Sequence, residues 1–197
     1  MATPTLPTPV AREWPEQGQW TYADWERLPN NGTRYEVIDE VLYMAPPPGI
    51  PHQSSSNRLA TAMTNHADTK GLGYVFTAPV GVRLPTQPVP LQPDIVFVPA
   101  AHRAIIGKQY IEGIPDLVVE ILSPSNWPYD RNEKFIAYQI AGVPEYWIVD
   151  YRAKTIEVFA LEEGEYVLLG KWGLADSAAS RALAGFQIAV ADVFRDL

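Results

Sequence analysis

The chain has 197 residues, 47% of them hydrophobic, with 15 lysines and arginines against 23 acids, a net charge of −8, and no cysteine. A chain of this size buries roughly 70% of its unfolded surface, enough for one sizeable core. The missing cysteine excludes disulfides, thiolate metal sites and a cysteine nucleophile. The acidic balance excludes a broad basic surface that coats nucleic acid, and neither half of the chain is a basic module: residues 1–98 carry 6 basic and 9 acidic side chains, residues 99–197 carry 9 and 14. No apolar run approaches the roughly 18–20 residues needed to cross a bilayer.

Met1 to Val10 alternates Pro and Thr without the charged and apolar regions of a secretory signal. Residues 1–18 read as a mobile tail, residues 19–197 as one domain, and the cytoplasm as its default compartment. Thr21 to Leu28 has a helix signature, with Thr21 as N-cap and Asp24 completing a capping box. Arg34 to Met44 alternates apolar and polar residues about Asp39-Glu40, as a β-hairpin does. After Pro46-Pro47-Pro48-Gly49, the four-residue recurrence of Leu59, Met63 and Ala67 predicts a long helix from His52 to Lys70, stopped by Gly71. Strand-like segments follow at Tyr74–Leu84, Asp94–Val98 and Asp116–Leu122. A second helix should run to Gly142-Val143-Pro144, with Asp130 as its cap and Glu133 in its capping box. Tyr146–Val149 reads as a buried strand, and Ile156–Leu161 with Tyr166–Trp172 as a hairpin across Glu162-Glu163-Gly164-Glu165. The pattern is α/β or α+β: a mixed sheet flanked by two long helices, with a hairpin at each end.

The chemistry-bearing feature is a set of acids among apolar strands. Glu120 interrupts Leu117-Val118-Val119 and Ile121-Leu122, where a carboxylate is costly to bury unless paired or bound to a cation. Asp94 opens the preceding strand after Pro93. An acid at the start of one strand and another within its neighbour can converge on Mg²⁺, which takes one or two carboxylates plus water and phosphate oxygens; backbone amides or an arginine could equally satisfy them. Lys134 falls in the first turn of the second helix, on one face with Tyr138 and Ala141. Its stem could reach Glu120, and an ammonium there can stabilise charge developing on a phosphodiester, unless it is simply a solvated lysine. Asp116 reads as a strand-start acid of structural use, and Tyr146, Trp147 and Tyr151 read as core.

Several stretches together resemble the Uma family of restriction-endonuclease-like proteins, in the PD-(D/E)xK nuclease superfamily. They are Leu91-Gln92-Pro93-Asp94-Ile95-Val96-Phe97-Val98, Pro115 to Ser125, Asp130-Arg131 through Lys134 and Tyr138, and Ala141-Gly142-Val143-Pro144-Glu145-Tyr146-Trp147-Ile148-Val149-Asp150. Upstream, Tyr35-Glu36-Val37-Ile38-Asp39 and the Pro-rich lead into His52 also match, so the resemblance spans roughly Trp20 to Trp172. It implies a restriction-endonuclease-like fold and a catalytic set of Asp94, Glu120 and Lys134, with Asp94 and Glu120 as ligands of Mg²⁺ or Mn²⁺. The superfamily lysine would stand two residues after the glutamate, where this chain has Leu122; Lys134 is then its replacement from the following helix. Glu40 stands where family members commonly carry a turn glycine. Glu36 and His52 are secondary site residues, each with a structural reading beside the functional one.

The resemblance implies a divalent-metal-dependent endonuclease acting on DNA, working as a homodimer and having no membrane partner. The alternative is a nuclease-fold protein that binds nucleic acid or a protein without cutting, which the absent lysine at Leu122 and the scattered cations Arg83, Arg103, Lys108 and Arg131 favour. A hydrolase of some other phosphoester is the third reading.

Overall fold

The computed structural model describes residues 14–123 and 132–195. Residues 1–13 of the expected tail, the expected cap Asp130 and the phosphate-contact candidate Arg131 lie outside them. Within residues 14–18, Trp14 stacks on Trp20 with ring centroids 5.7 Å apart, and the Gln17 amide exchanges hydrogen bonds with the Leu42 backbone.

The chain runs α1 (Tyr22–Trp25), β1 (Arg34–Ile38), β2 (Val41–Ala45), α2 (Ile50–Lys70), β3 (Gly73–Thr77), β4 (Gly81–Arg83), β5 (Ile95–Pro99), a 3₁₀ turn (Ala100–Ile105) and β6 (Tyr110–Glu112). It continues through β7 (Leu117–Ile121), α3 (Glu133–Ala141), β8 (Glu145–Asp150), β9 (Thr155–Glu162), β10 (Glu165–Trp172), β11 (Ser177–Ala179), β12 (Gln187–Ala189) and α4 (Val190–Val193). Six strands form the central sheet in the order β10-β9-β8-β7-β5-β3. Only β7 and β8 pair in parallel; the other neighbours are antiparallel. The hairpin β9–β10 is therefore continuous with the sheet, whereas β1–β2 forms a separate two-stranded sheet.

Side-chain alternation along the strands splits the core in two. One face carries Ile95, Phe97, Leu117, Val119, Ile121 and Trp147 against Leu59, Met63 and Ala67 of α2 and the C-terminal segment. The other carries Val96, Val98, Val118, Leu122, Tyr146 and Ile148 against Ala137, Tyr138 and Ala141 of α3. Glu120 belongs by alternation to the second face, the one covered by α3.

Three expectations are corrected. The segment Tyr74–Leu84 is two strands, because Pro79 can donate no ladder hydrogen bond and the chain turns there, with Val80 N–H donating to Thr77 O at 3.3 Å. Helix α2 begins at Ile50, two residues before His52, with Pro51 in its first turn, where a proline loses no helix bond. Helix α3 begins at Glu133, with Asn132 in the N-cap position and no side-chain cap bond, so Glu133 opens the helix instead of closing a capping box. The box of α1 is present, with Thr21 and Asp24 satisfying each other's backbone N–H groups. The short strands β6, β11 and β12 have no counterpart in the sequence pattern.

The β1–β2 turn places both central residues at positive φ, Asp39 at 49° and Glu40 at 62°. Two-residue turns of this kind match the strand twist but disfavour side chains bearing a Cβ. Glu40 also offers its carbonyl to the N–H groups of Gly18 and Trp20, contacts that a glycine would keep. Glu40→Gly should therefore raise stability by about 0.5–1 kcal/mol, read as a higher urea midpoint at unchanged slope; a lowered midpoint would show that the turn carries no strain.

Candidate active site

The pairing of β5 with β7 sets the site. Ile95 faces Val119, Val96 faces Val118 and Phe97 faces Leu117, so the same register carries Asp94 to a place opposite Glu120. Asp94 is locked there by its own N–H, which donates to Val119 O at 3.1 Å, and by the Ile121 N–H, which donates to Asp94 Oδ2 at 2.8 Å. Both acids are buried, with 4% of Asp94 and 1% of Glu120 exposed.

Helix α3 answers Glu120 from above. Lys134 and Tyr138 are four residues apart and share a face, and both reach the same oxygen: Lys134 Nζ donates to Glu120 Oε1 at 2.8 Å and Tyr138 OH donates to it at 2.9 Å. Lys134 is 1% exposed and also lies 3.1 Å from Glu36 Oε2. On β1, alternation puts Arg34 and Glu36 on one face. Glu36 Oε1 accepts from Gln92 N–H at 2.7 Å, and Arg34 extends across the cluster to Glu36 Oε1 and Asp94 Oδ1, each at 3.4 Å, and to Glu120 Oε2 at 4.0 Å. His52, in the first turn of α2, places Nε2 at 3.3 Å from Asp94 Oδ2; its Nδ1 is buried without a hydrogen-bond partner among the described residues. A cleft of about 480 Å³ opens beside Asp94, His52 and Arg34.

The charges follow from these contacts. Burial alone would raise the Asp94 carboxyl, but the hydrogen bond from His52 and the positive charges of Arg34, His52 and Lys134 outweigh it and hold the group at about 2. Burial likewise opposes ionisation of Glu36, and Arg34, Lys134 and the Gln92 N–H still keep it below its ordinary value. Tyr138 is pushed well up, first by burial and then by the charges of Glu120 and Glu36, so it remains a neutral donor.

All five sequence-derived site residues, Glu36, His52, Asp94, Glu120 and Lys134, thus fall in one cluster. Arg34 and Tyr138 complete it. The sequence signal for Tyr138 is its four-residue spacing from Lys134; Arg34 carries no local signal. Asp116 pairs with His102 Nδ1 at 2.7 Å, away from the cluster. Arg83 is paired with Glu112 at 3.4 Å and sits over the Tyr110 ring.

Among the described residues no three His, Asp or Glu side chains are grouped to hold a metal ion. Asp94 Oδ1 and Glu120 Oε2 nevertheless both address the position of the Arg34 guanidinium, while their partner oxygens are held by Ile121, His52, Lys134 and Tyr138. Two such oxygens fit Mg²⁺, an ion that binds through one or two carboxylates and fills its remaining positions with water or phosphate oxygens.

The Uma2 family, described as "Putative restriction endonuclease", matches residues 22–191, a span that takes in every member of the cluster. The chain belongs to the Uma2 family. An uncharacterized protein of Synechocystis, slr1290, is 27% identical over 186 residues, covering 93% of this chain and 94% of that protein. The crystal structure of a "putative nuclease belonging to DUF820" from Anabaena variabilis superposes with a TM-score of 0.72 at 16% identity, over 88% of this chain and 97% of that one. At that identity the likeness is one of fold: a central mixed sheet with helices, shared with this Uma2 chain. No helix of the described residues is long and apolar enough to cross a membrane.

Two outcomes follow for the metal-free protein. A lowered pKa means that Asp94 stabilises the fold above its ordinary 3.8 and ceases to as pH falls towards 2. In EDTA, stability should drop by about 2 kcal/mol across that window, and Asp94→Asn should flatten the slope of urea stability against pH. Lys134→Met leaves Glu36 and Glu120 facing each other without their buried cation and should cost about 3–5 kcal/mol. Adding Glu120→Gln should restore part of the loss; no recovery in the double variant would deny the pairing.

Proposed function

We propose that this Uma2 protein is a divalent-metal-dependent endonuclease that hydrolyses phosphodiester bonds in DNA. The observation that carries the reading is the register-enforced opposition of Asp94 and Glu120 with Lys134 Nζ at 2.8 Å from the second acid. Buried, ionised carboxylates next to a cleft are an expensive arrangement, and the family description and the nuclease-fold neighbour support a phosphodiester as substrate.

Asp94 and Glu120 would hold Mg²⁺ or Mn²⁺. The chemistry such an ion supplies is polarisation of a phosphoryl oxygen and acidification of a bound water. Around it, the backbone N–H of Ile121 fixes Asp94 and the phenol of Tyr138 fixes Glu120, so neither carboxylate must reorganise when charge develops. Lys134, delivered from α3, lies against both Glu120 and Glu36, helps hold the Glu36 carboxyl below its ordinary value and presents an ammonium for the charge that builds on the phosphate. Glu36 serves chiefly to hold Lys134 from the side opposite Glu120, and His52 to hold Asp94 at the cleft. Two copies acting together would set one such centre on each DNA strand.

The second reading, a nuclease-fold binding module, draws on the cluster's internal pairing: Arg34 and Lys134 already lie against its three carboxylates. Purified protein incubated with plasmid DNA and Mn²⁺ decides between them. Cleavage should occur, and Asp94→Asn or Glu120→Gln should reduce it at least a thousandfold, on the order of removing the ion's contribution, with the circular dichroism spectrum unchanged. Equal cleavage by wild type and Glu120→Gln would assign the activity to a contaminant, and no Mn²⁺ binding at millimolar ion would favour the module.

A further inference from the structure

Among the described residues, two cations meet the carboxylates of the cluster at different distances. Lys134 makes contacts of 2.8 and 3.1 Å and is 1% exposed. Arg34 spreads over three carboxylates at 3.4, 3.4 and 4.0 Å, all longer than the roughly 2.7–2.9 Å of a strong charge-assisted bond, and its side chain is 21% exposed. It sits between Asp94 Oδ1 and Glu120 Oε2, where an ion shared by the two acids would lie. Mg²⁺ binds oxygen at about 2.0–2.1 Å, so an ion at that position and the guanidinium exclude each other. Arg34 is also the sole arginine or lysine among the described residues lining the adjoining cleft, whose other lining near it is Thr33, His52, Gln92 and Asp94.

Building on the metal-dependent reading, we infer that Arg34 is the built-in counter-ion of the ion-free site, and that it moves into the cleft when a divalent cation binds, there to engage a phosphate of the nucleic-acid backbone. Its backbone stays fixed by the β1–β2 ladder, so only the side chain moves. In the ion-free protein the guanidinium quiets the repulsion among Asp94, Glu36 and Glu120. In the loaded protein the ion takes over that task, and the released guanidinium supplies the cleft with a planar donor suited to phosphate. Arg34 thus makes ion binding and phosphate binding mutually supporting, because each needs the arginine in the same place.

The test is titration of the full chain with Mn²⁺ by calorimetry, alongside DNA cleavage at saturating Mn²⁺. Arg34→Met removes one positive charge a few ångströms from the ion and should tighten Mn²⁺ binding about tenfold or more, while raising KM for DNA; Arg34→Lys should stay near wild type for the ion. Tighter ion binding with weaker DNA binding is a pair of opposite changes that a merely structural arginine would not produce. Unchanged or weaker Mn²⁺ affinity in Arg34→Met overturns the inference and leaves the nuclease reading standing, whereas no Mn²⁺ binding by wild type and variant alike overturns both. Should Arg34→Met fail to fold, a crystal structure of the wild type with Mn²⁺ decides: a guanidinium in the cleft supports the inference, and one still between Asp94 and Glu36 ends it.

Discussion

Burying Glu120 in the middle of β7 is the constraint on which the rest of the architecture turns. The strand is covered on both faces, and an ionised carboxylate there costs several kcal/mol unless its oxygens are satisfied. Helix α3 exists in its observed position to meet that demand: Lys134 and Tyr138 converge on one oxygen, and Ala137 and Ala141 are small enough to let the helix lie close to the sheet. Glu36 then balances Lys134 from β1, which ties a hairpin outside the central sheet to the sheet's most polar point. Glu145 solves the same problem by another route. It is buried at the start of β8 and accepts from Trp147 Nε1, Ser180 Oγ and the N–H groups of Arg181 and Ala182, all within 2.9 Å. Neutral donors suffice where a carboxylate only has to hold a loop in place; Glu120 is met by a cation and stands next to a cleft.

Topology explains why the polar groups meet at one end of the sheet. Strand β7 is the place where pairing changes from antiparallel with β5 to parallel with β8. Its C-terminal end therefore lies beside the N-terminal end of β5, and Asp94 and Glu120 arrive from opposite chain directions at the same edge. The N-terminus of α2 reaches that edge too, which brings His52 to Asp94. Asp94 is satisfied in part by backbone, in part by His52 and Arg34, and this mixture holds its ionisation low in spite of burial.

The part of this cluster legible in the sequence was the part that violates local pattern. An acid inside an apolar strand and a lysine spaced four from a tyrosine in a helix both conflict with a bland reading, so Asp94, Glu120 and Lys134 stood out. Arg34 did not, because an arginine alternating with a glutamate on a short hairpin looks like a solvated face; nothing local indicates that this face lies over the central sheet. Glu145 was hidden for the converse reason: it opens an apolar strand at a place where turn acids are ordinary, and three of its four donors come from residues 35 to 37 positions later. The helices and the central strands were readable from periodicity. The three-residue strands β6, β11 and β12 are too short to carry a period, and β4 was legible only as part of one longer strand-like segment.

The charge of −8 takes its meaning from the same cluster. Among the described residues, the carboxylates of Glu36, Asp94 and Glu120 outnumber the two lysine and arginine side chains that face them at the head of the cleft, Arg34 and Lys134. Such a site repels a phosphodiester. A divalent ion in place of Arg34 leaves the carboxylates balanced by the ion and Lys134, with the arginine's charge moved outward to the cleft, where a phosphate would lie. On the proposed reading the acidic chain would not gather nucleic acid by broad attraction, since the described surface carries no basic stripe for it. Attraction would be confined to one place and made conditional on the ion. Salt should then weaken binding only modestly, because few phosphates are neutralised, and the acidity of the remaining surface would discourage unproductive contact along the polymer.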